Sequence, residues 1–314
     1  MRILIIYCGG IPLRDPFTVQ GVKEQLQSYL ELQLVAEVET IVMGNLVGAD
    51  VQLSLASDIG QTILENYKDY EGFVVIHSID NALYTANLLA FQLTNLGKPI
   101  IFTGASLPEG LLVLPGQFSD AEQYMYREMS LRTSLITAVQ LATQNVAGVL
   151  LGYGPRIIRA VRAIEYIHGD QYGFTSQQEG DIATVRFGID VTDTANQRHS
   201  LMPKFYNTIA KNVLMIPRIP EWKLPADAAD AKAVLLYAYQ EQILQSKLVL
   251  PKGIPVFAYG ADTHSRLPEG FYNVPALTPV AMHTKLMVGT AQFTNAAELN
   301  QFMNSNISGE LGKL

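Results

Sequence analysis

Four short segments gather the residues of this chain that could do chemistry. They are Tyr7-Cys8-Gly9-Gly10-Ile11, His77-Ser78-Ile79-Asp80-Asn81, Thr103-Gly104-Ala105-Ser106-Leu107-Pro108, and residues 156–165 with Arg156, Arg159, Arg162 and Glu165. Each of the first three directly follows an apolar run. Gly9 and Gly10 permit positive φ and close backbone approach, so they suit a loop that cradles an anion; a tight strand-to-loop turn is the plainer use. The pair is not G-x-G-x-x-G, which speaks against a dinucleotide, and no cofactor is implied. Asp80 suits an N-cap for a helix starting near Asn81. Gly9, Gly10, Ser78, Asp80, Thr103 and Ala105 form a candidate ligand-binding set, although Thr103-Gly104-Ala105 also suits an ordinary strand-end turn. Cys8 and Thr18 are possible nucleophiles, but neither has an evident base beside it, and a free cysteine near a strand is commonly a buried apolar residue. His77, His168, His199, His264 and His283 show no pairing at metal-ligand spacing, so no metal site is expected.

These segments need a scaffold that brings strand ends together. Apolar runs at 3–7, 34–43, 73–77, 99–102 and 149–151 predict strands, and 19–32, 53–67, 81–96 and 131–143 predict helices. The alternation implies an α/β fold, a doubly wound and mostly parallel sheet covered on both faces. Right-handed crossovers then place the strand C-terminal ends, and any ligand, along one edge. A polar stretch at 191–212 has the composition of a linker, dividing a large domain at 1–190 from a smaller α/β domain at 213–314. In the latter, 213–216, 233–237 and 256–259 predict strands, and 240–248, 279–293 and 296–304 predict helices. Residues 107–126 form a long aperiodic segment of the kind that serves as a functional loop or insert. Within it Tyr124, Met125 and Tyr126 could make an apolar patch for a partner.

Composition narrows the partners. The 314 residues carry a formal net charge of -7, which disfavours nucleic acid. The arginines at 156, 159 and 162 are then expected to be locally ion-paired. A single cysteine excludes an internal disulfide and suits a reducing compartment. The N-terminal MRILIIY predicts a buried first strand rather than a leader. No apolar run approaches the roughly 20 residues of a membrane span, so a cytoplasmic protein is expected.

The motifs themselves resemble a known family, the L-asparaginases, and its type I, cytoplasmic branch in particular. Cys8-Gly9-Gly10-Ile11 matches in position the family's N-terminal T-G-G-T. Residues 70–81, YEGFVVIHSIDN, are similar to YDGFVILHGTDT, and residues 95–104, NLGKPIIFTG, to NLGKPVIVTG. The segment from Arg156 to Phe174 is similar to R-x-x-R-G-x-R-x-x-K…F. Thr284-Lys285-Leu286 and Ser308-Gly309-Glu310-Leu311 resemble type I members. The resemblance implies a large doubly wound domain, a small C-terminal one, a small amino acid or amide as ligand, and a homodimer or dimer of dimers.

The departures from the family are informative. The second threonine of T-G-G-T is the family's nucleophile; its place is taken by Ile11. The first threonine of the H-G-T-D-T motif, together with its Asp and a distant Lys, makes the other family triad. These places hold Ile79, Asp80 and Glu165, so only the aspartate is kept. By the same resemblance Asp80 would receive a substrate's α-amino group, and Ala49-Asp50 stands in place of a Ser-Asp pair. Isoleucine has no lone pair with which to attack, and leaving a bound polar group without its hydroxyl partner costs a few kcal/mol. Replacing Lys by Glu reverses a charge near Asp80. The expectation is an asparaginase-fold protein without family catalysis that binds a ligand or partner. The alternative is a divergent amidohydrolase acting on asparagine or a related small amide.

Overall fold

Arg2–Tyr7 forms β1, and its apolar residues are buried on both faces, as a central parallel strand requires. The chain continues through α1 (Val19–Gln27), α2 (Leu30–Val35), β2 (Glu37–Val42), α3 (Leu55–Asn66), β3 (Gly72–Ile76), α4 (Ile79–Gln92), β4 (Leu93–Thr94), β5 (Pro99–Thr103), α5 (Asp120–Ala142) and β6 (Gly148–Leu151). Next come β7 (Arg156–Arg159), β8 (Ala163–His168), β9 (Gln171–Ser176), β10 (Ala183–Val185), β11 (Ile189–Val191) and β12 (Lys204–Phe205). The last elements are β13 (Val213–Ile216), β14 (Ala233–Tyr237), β15 (Val256–Tyr259), β16 (Phe271–Asn273), α6 (Pro279–Gln292) and α7 (Ala296–Asn304). This computed structural model describes all residues except 14–15, 106–118, 169–170, 177–178, 186–187, 218–225, 238–252, 260–266, 268, 276 and 313–314. The expected helix at 240–248 and the segment Ser106-Leu107-Pro108 lie outside the described residues, as does His264.

The main sheet has eight strands in the order β11-β10-β7-β6-β5-β3-β1-β2. From β2 to β6 neighbouring strands are parallel, and β7, β10 and β11 extend the sheet antiparallel. A second sheet, β13-β14-β15-β16, is parallel throughout. The expected α/β class with a large and a small sheet is what the chain adopts. The helices on one face of the main sheet and the small sheet share an apolar cluster that runs from Leu4 and Phe73 to Leu235, Phe257 and Met287. The other face is a separate cluster of Ile3, Ile5, Tyr7, Val22, Leu26, Leu135 and their neighbours.

Several expected elements shift for local reasons. The single helix expected at 19–32 is broken at Ser28, whose hydroxyl donates to the Gln25 carbonyl at 2.6 Å and ends α1. The second strand therefore starts at Glu37, after α2. The helix expected at 131–143 starts earlier, at Asp120, because Ser119 and Glu122 form a capping box. Part of the aperiodic segment 107–126 is thus the first turns of α5. Those turns bury little, so they carry no apolar stripe, and Met125 is 48% exposed. Residues of the expected linker are tied down by pairing: Asn196 bridges Ala147, next to β6, and β12 pairs with β4 in a separate two-stranded sheet.

The C-terminal residues clasp the two sheets together. Lys285 on α6 is fully buried; its Nζ donates to Glu310 Oε1 at 2.6 Å, Ser305 O at 2.5 Å and Met303 O at 3.0 Å. The Glu310 carboxylate also accepts from the backbone amides of Ile307 and Ser308. Ser308 Oγ donates to Ala90 O on α4 at 2.5 Å, and Arg162 donates to Glu310 O at 2.6 Å. Two motifs more than twenty residues apart in sequence are therefore the two halves of one buried ion pair.

Candidate functional site

The parallel direction of β1, β2, β3 and β5 puts their C-terminal ends on one edge, and the expected segments meet there. Gly9 and Gly10 have φ of 134° and 81°, conformations that a side chain rarely adopts. A Cβ on Gly9 would fall on the backbone of Leu46, and one on Gly10 on the backbone of Ser78. The first loop is thus pressed between the loops after β2 and β3. Cys8 N donates to Ile76 O at 2.9 Å, and Leu46 N to Cys8 O at 2.7 Å. Asn81 Nδ2 donates to Gly48 O at 2.9 Å and ties the loop carrying Asp50 to the start of α4. The loop after β5 closes the edge: His77 N donates to Thr103 O at 2.9 Å, and a Cβ on Gly104 would fall on His77 O.

Asp80 lies in the first turn of α4 and is exposed. It does not cap α4; that position belongs to Ser78, which makes no side-chain cap bond. Ser78 is buried and its hydroxyl donates to Asp80 Oδ2 at 3.3 Å. Asp50 is exposed in a short 3₁₀ turn at Gly48–Asp50. Thr103 is fully buried, and its hydroxyl donates to Gly152 O at 2.7 Å. Ala105 packs against the cluster beneath the first loop.

The two isoleucines leave this edge in opposite directions. Ile11 is 9% exposed and joins the cluster of Tyr7, Val22 and Leu26. Ile79 is partly buried and packs against the cluster on the other side of the sheet. Each is absorbed by a different apolar layer, so they flank the strand ends instead of stacking into one plug. The possible replacement nucleophiles are occupied elsewhere. Cys8 is 1% exposed, and burial, with a contribution from the Asp58 charge, pushes its thiol up to about 12, which leaves almost no thiolate at neutral pH. Thr18 Oγ1 accepts from Gly21 N at 2.9 Å as the N-cap of α1.

Glu165 sits on β8, opposite Phe174 of β9, and is exposed. Its charge acts on Tyr84, one helical turn beyond Asp80 on α4; burial first, and Glu165 second, raise the Tyr84 phenol. A contact that the motifs did not reveal starts at Tyr84. Its hydroxyl donates to His283 Nδ1 on α6 at 3.1 Å, and His283 Nε2 donates to Val213 O at 3.3 Å. Burial lowers the His283 pKa and so favours the neutral ring, in which Nε2 donates and Nδ1 accepts. No sequence spacing links Tyr84 with His283, 199 residues away. The three arginines are locally paired as expected: Arg156 with Asp181 at 2.8 Å, and Arg159 and Arg162 with Glu179 at 3.2 and 3.7 Å.

His77 behaves like His283. It is 1% exposed, donates from Nδ1 to Ser78 O at 2.7 Å, and its pKa is lowered, mainly by burial. Both folded-state values lie below the unfolded value of 6.5. Stability from these two sites is full above pH 6.5, where the unfolded chain is also neutral, and is lost as pH falls through the depressed folded values. Each histidine contributes a slope of up to about 1.4 kcal/mol per pH unit in that window. Urea titrations at stepped pH are expected to show this fall, and His283→Leu to flatten it. An unchanged slope in that variant would remove His283 from the account.

A doubly wound sheet whose loops converge in this way defines an α/β protein of the class in which ligands bind at the strand ends. The comparisons with known proteins identify the family. Residues 2–197 match the family model described as Asparaginase, N-terminal, and the chain belongs to the asparaginase family. It is 24% identical over 347 aligned positions to the L-asparaginase of Thermococcus kodakarensis, covering 99% of each chain. It is 46% identical over 61 residues to L-asparaginase 1 of Escherichia coli, 19% of this chain and 18% of that one. Among solved structures, L-asparaginase I from Vibrio cholerae superposes with a TM-score of 0.77 at 20% identity, covering 99% of both chains. The Thermococcus kodakarensis enzyme gives 0.75 at 23% identity and full coverage of both. Among the described residues no group of three or more His, Cys, Asp or Glu could hold a metal ion, and no helix is long and apolar enough to cross a membrane.

Proposed function

We propose that this protein is an asparaginase-family member that binds a small amino acid or amide at its strand ends without hydrolysing it by the family's mechanism. The observation that supports this is the absence of a free nucleophile where the family resemblance places one. Ile11 and Ile79 occupy those positions, and Cys8, Thr18 and Thr103 are each buried or bonded to structural partners. What the edge still offers is recognition chemistry: the exposed Asp80 carboxylate for an ammonium group, with Ser78 at 3.3 Å, and a glycine loop for a ligand's polar end. The low charge density and single cysteine suit a cytoplasmic protein, and the family resemblance suits a homodimer or dimer of dimers.

Thermal-shift titration with a panel of amino acids, amides and dicarboxylates tests the reading. Ligands with an α-ammonium group are expected to raise the melting temperature, with roughly 2.7 kcal/mol of stabilisation at a hundredfold excess over Kd. Asp80→Asn is expected to abolish the rise. A panel without effect, or one equally effective on the variant, would refute the site.

One observation favours a second reading, a divergent amidohydrolase. Ser78 is a hydroxyl in contact with a carboxylate, the minimal arrangement for a re-sited nucleophile and its base. A carboxylate next to solvent is a weak base for a serine, which is why binding is preferred. Ser78→Ala separates the two: it ends turnover if Ser78 attacks, and alters only affinity if Ser78 orients Asp80.

A further inference from the structure

The face of the main sheet opposite α4 is covered by α5, but only by its second half. The buried side chains of α5 begin at Leu131, and the turns before it contribute none. Along those turns four exposed side chains form a row: Glu122, Met125, Met129 and Arg132. Their 3-4-3 spacing is that of the seam positions of a coiled coil, so all four lie on one side of the helix. At ~1.5 Å per residue the row is about 15 Å long. Met125 and Met129 are 48% and 59% exposed. Of the expected patch at 124–126 only Met125 is exposed, and Tyr124 and Tyr126 are half-buried. Arg132 donates to Glu31 of α2 at 2.5 Å, and α2 turns Leu30 and Leu34 to solvent at 67% and 87% exposure.

We propose that a second copy of this chain docks on this row, α5 against α5, antiparallel about a two-fold axis. The row is symmetric in sequence, since Glu122 and Arg132 each stand three residues outside a methionine. A two-fold across the helix therefore sets Met125 on the partner's Met129 and Glu122 on the partner's Arg132, the self-complementary contact that such an axis requires. Parallel helices would set like charge on like charge, so the charges select the antiparallel arrangement. Glu122 also accepts from Ser119 at the helix start, and Arg132 from its fork of N–H donors can serve Glu31 and the partner's Glu122 together. Exposed ion pairs of this kind fix register and add little affinity. Burial of the methionines supplies the affinity, and their flexible side chains adapt to such a contact. The apolar part is small beside a standard interface of ~800 Å² per partner, so a Kd of roughly 10–100 µM is expected. The family resemblance suits a homodimer or dimer of dimers without saying which faces meet. This row uses no strand-end residue, so it stands or falls separately from the Asp80 site.

Cross-linking of the full-length protein tests the geometry. The chain's one cysteine, Cys8, is 1% exposed, so an introduced surface thiol is the one that reacts. Met125→Cys and Met129→Cys are prepared separately, and each is treated with a mild oxidant alone and after mixing. A covalent dimer is expected in the mixture, where position 125 of one copy meets position 129 of the other, and far less in either variant alone, where the thiols are offset by about a helical turn. Sedimentation equilibrium above the expected Kd tests the surface. Met125→Lys keeps a good helix former at an exposed position but enters a two-fold interface twice, and is expected to weaken the dimer by about a hundredfold. The particle mass then halves, from dimer to monomer, or from tetramer to dimer if a second face also pairs. An unchanged mass in Met125→Lys with unchanged helix content overturns the proposal. So does cross-linking in a single variant as readily as in the mixture, or none in the mixture. A parent chain that is monomeric at 1 mM, roughly ten times the weakest expected Kd, also overturns it, whether or not the row takes a different protein or a vesicle surface instead.

Discussion

Ammonia release from asparagine or glutamine by the purified protein is expected to be indistinguishable from the uncatalysed background. Loss of the attacking group in a serine protease lowers kcat by roughly a million-fold, equivalent to about 8 kcal/mol of transition-state stabilisation. On the proposed reading the deficit is compound, since the positions that the family resemblance assigns to two threonines and a lysine hold Ile11, Ile79 and Glu165. Restoring one threonine at a time is expected to recover nothing measurable. Ile11 is 9% exposed within an apolar cluster, and a hydroxyl placed there would be drawn into the core or left unsatisfied. Turnover well above background that persists in Ser78→Ala and in Asp80→Asn would defeat the binding proposal and the serine reading together. Turnover lost in Ser78→Ala alone would replace the first with the second.

Breaking the Lys285–Glu310 pair is expected to give the largest stability loss of any single substitution considered. Both side chains have 0% exposure, and the ammonium and carboxylate are 2.6 Å apart. Burial pulls the Lys285 pKa down, and the Glu310 carboxylate opposes that shift. Removing one member of such a pair leaves an uncompensated buried charge and costs about 3–5 kcal/mol, a large part of the ~5–15 kcal/mol available to a folded protein. Lys285→Met and Glu310→Gln should each lower the urea midpoint accordingly. The double variant Lys285→Met with Glu310→Leu is expected to lose less than the sum, because an apolar pair carries no desolvation penalty. It will not return to the parent value, since the carboxylate also receives the amides of Ile307 and Ser308. A loss below about 1 kcal/mol in either single variant, the size of an exposed pair, would show that the clasp is not a stability element.

The sequence by itself determined the elements whose signal is local. The continuous apolar runs of β1, β3 and β5 predict buried parallel strands because both faces of such strands are covered. In the C-terminal part, β13, β14 and β15 occur at the expected residues. Those strands in turn fix which residues lie at their C-terminal edge, so Gly9, Gly10, Ser78, Asp80 and Thr103 could be named from order alone. The absence of a hydroxyl at positions 11 and 79 is likewise a matter of composition.

Only the tertiary structure decided what each of these groups does. It committed Thr103 to Gly152 and Thr18 to the α1 cap, buried Cys8, and sent Ile11 and Ile79 into different apolar layers. It joined Tyr84 to His283 across 199 residues and Lys285 to Glu310 across two motifs. The physical reason is that a side chain's reactivity depends on its burial and its hydrogen-bond partners. Those partners come from elements distant in the chain and are set by packing, whereas strand and helix signals are carried by neighbours a few residues away.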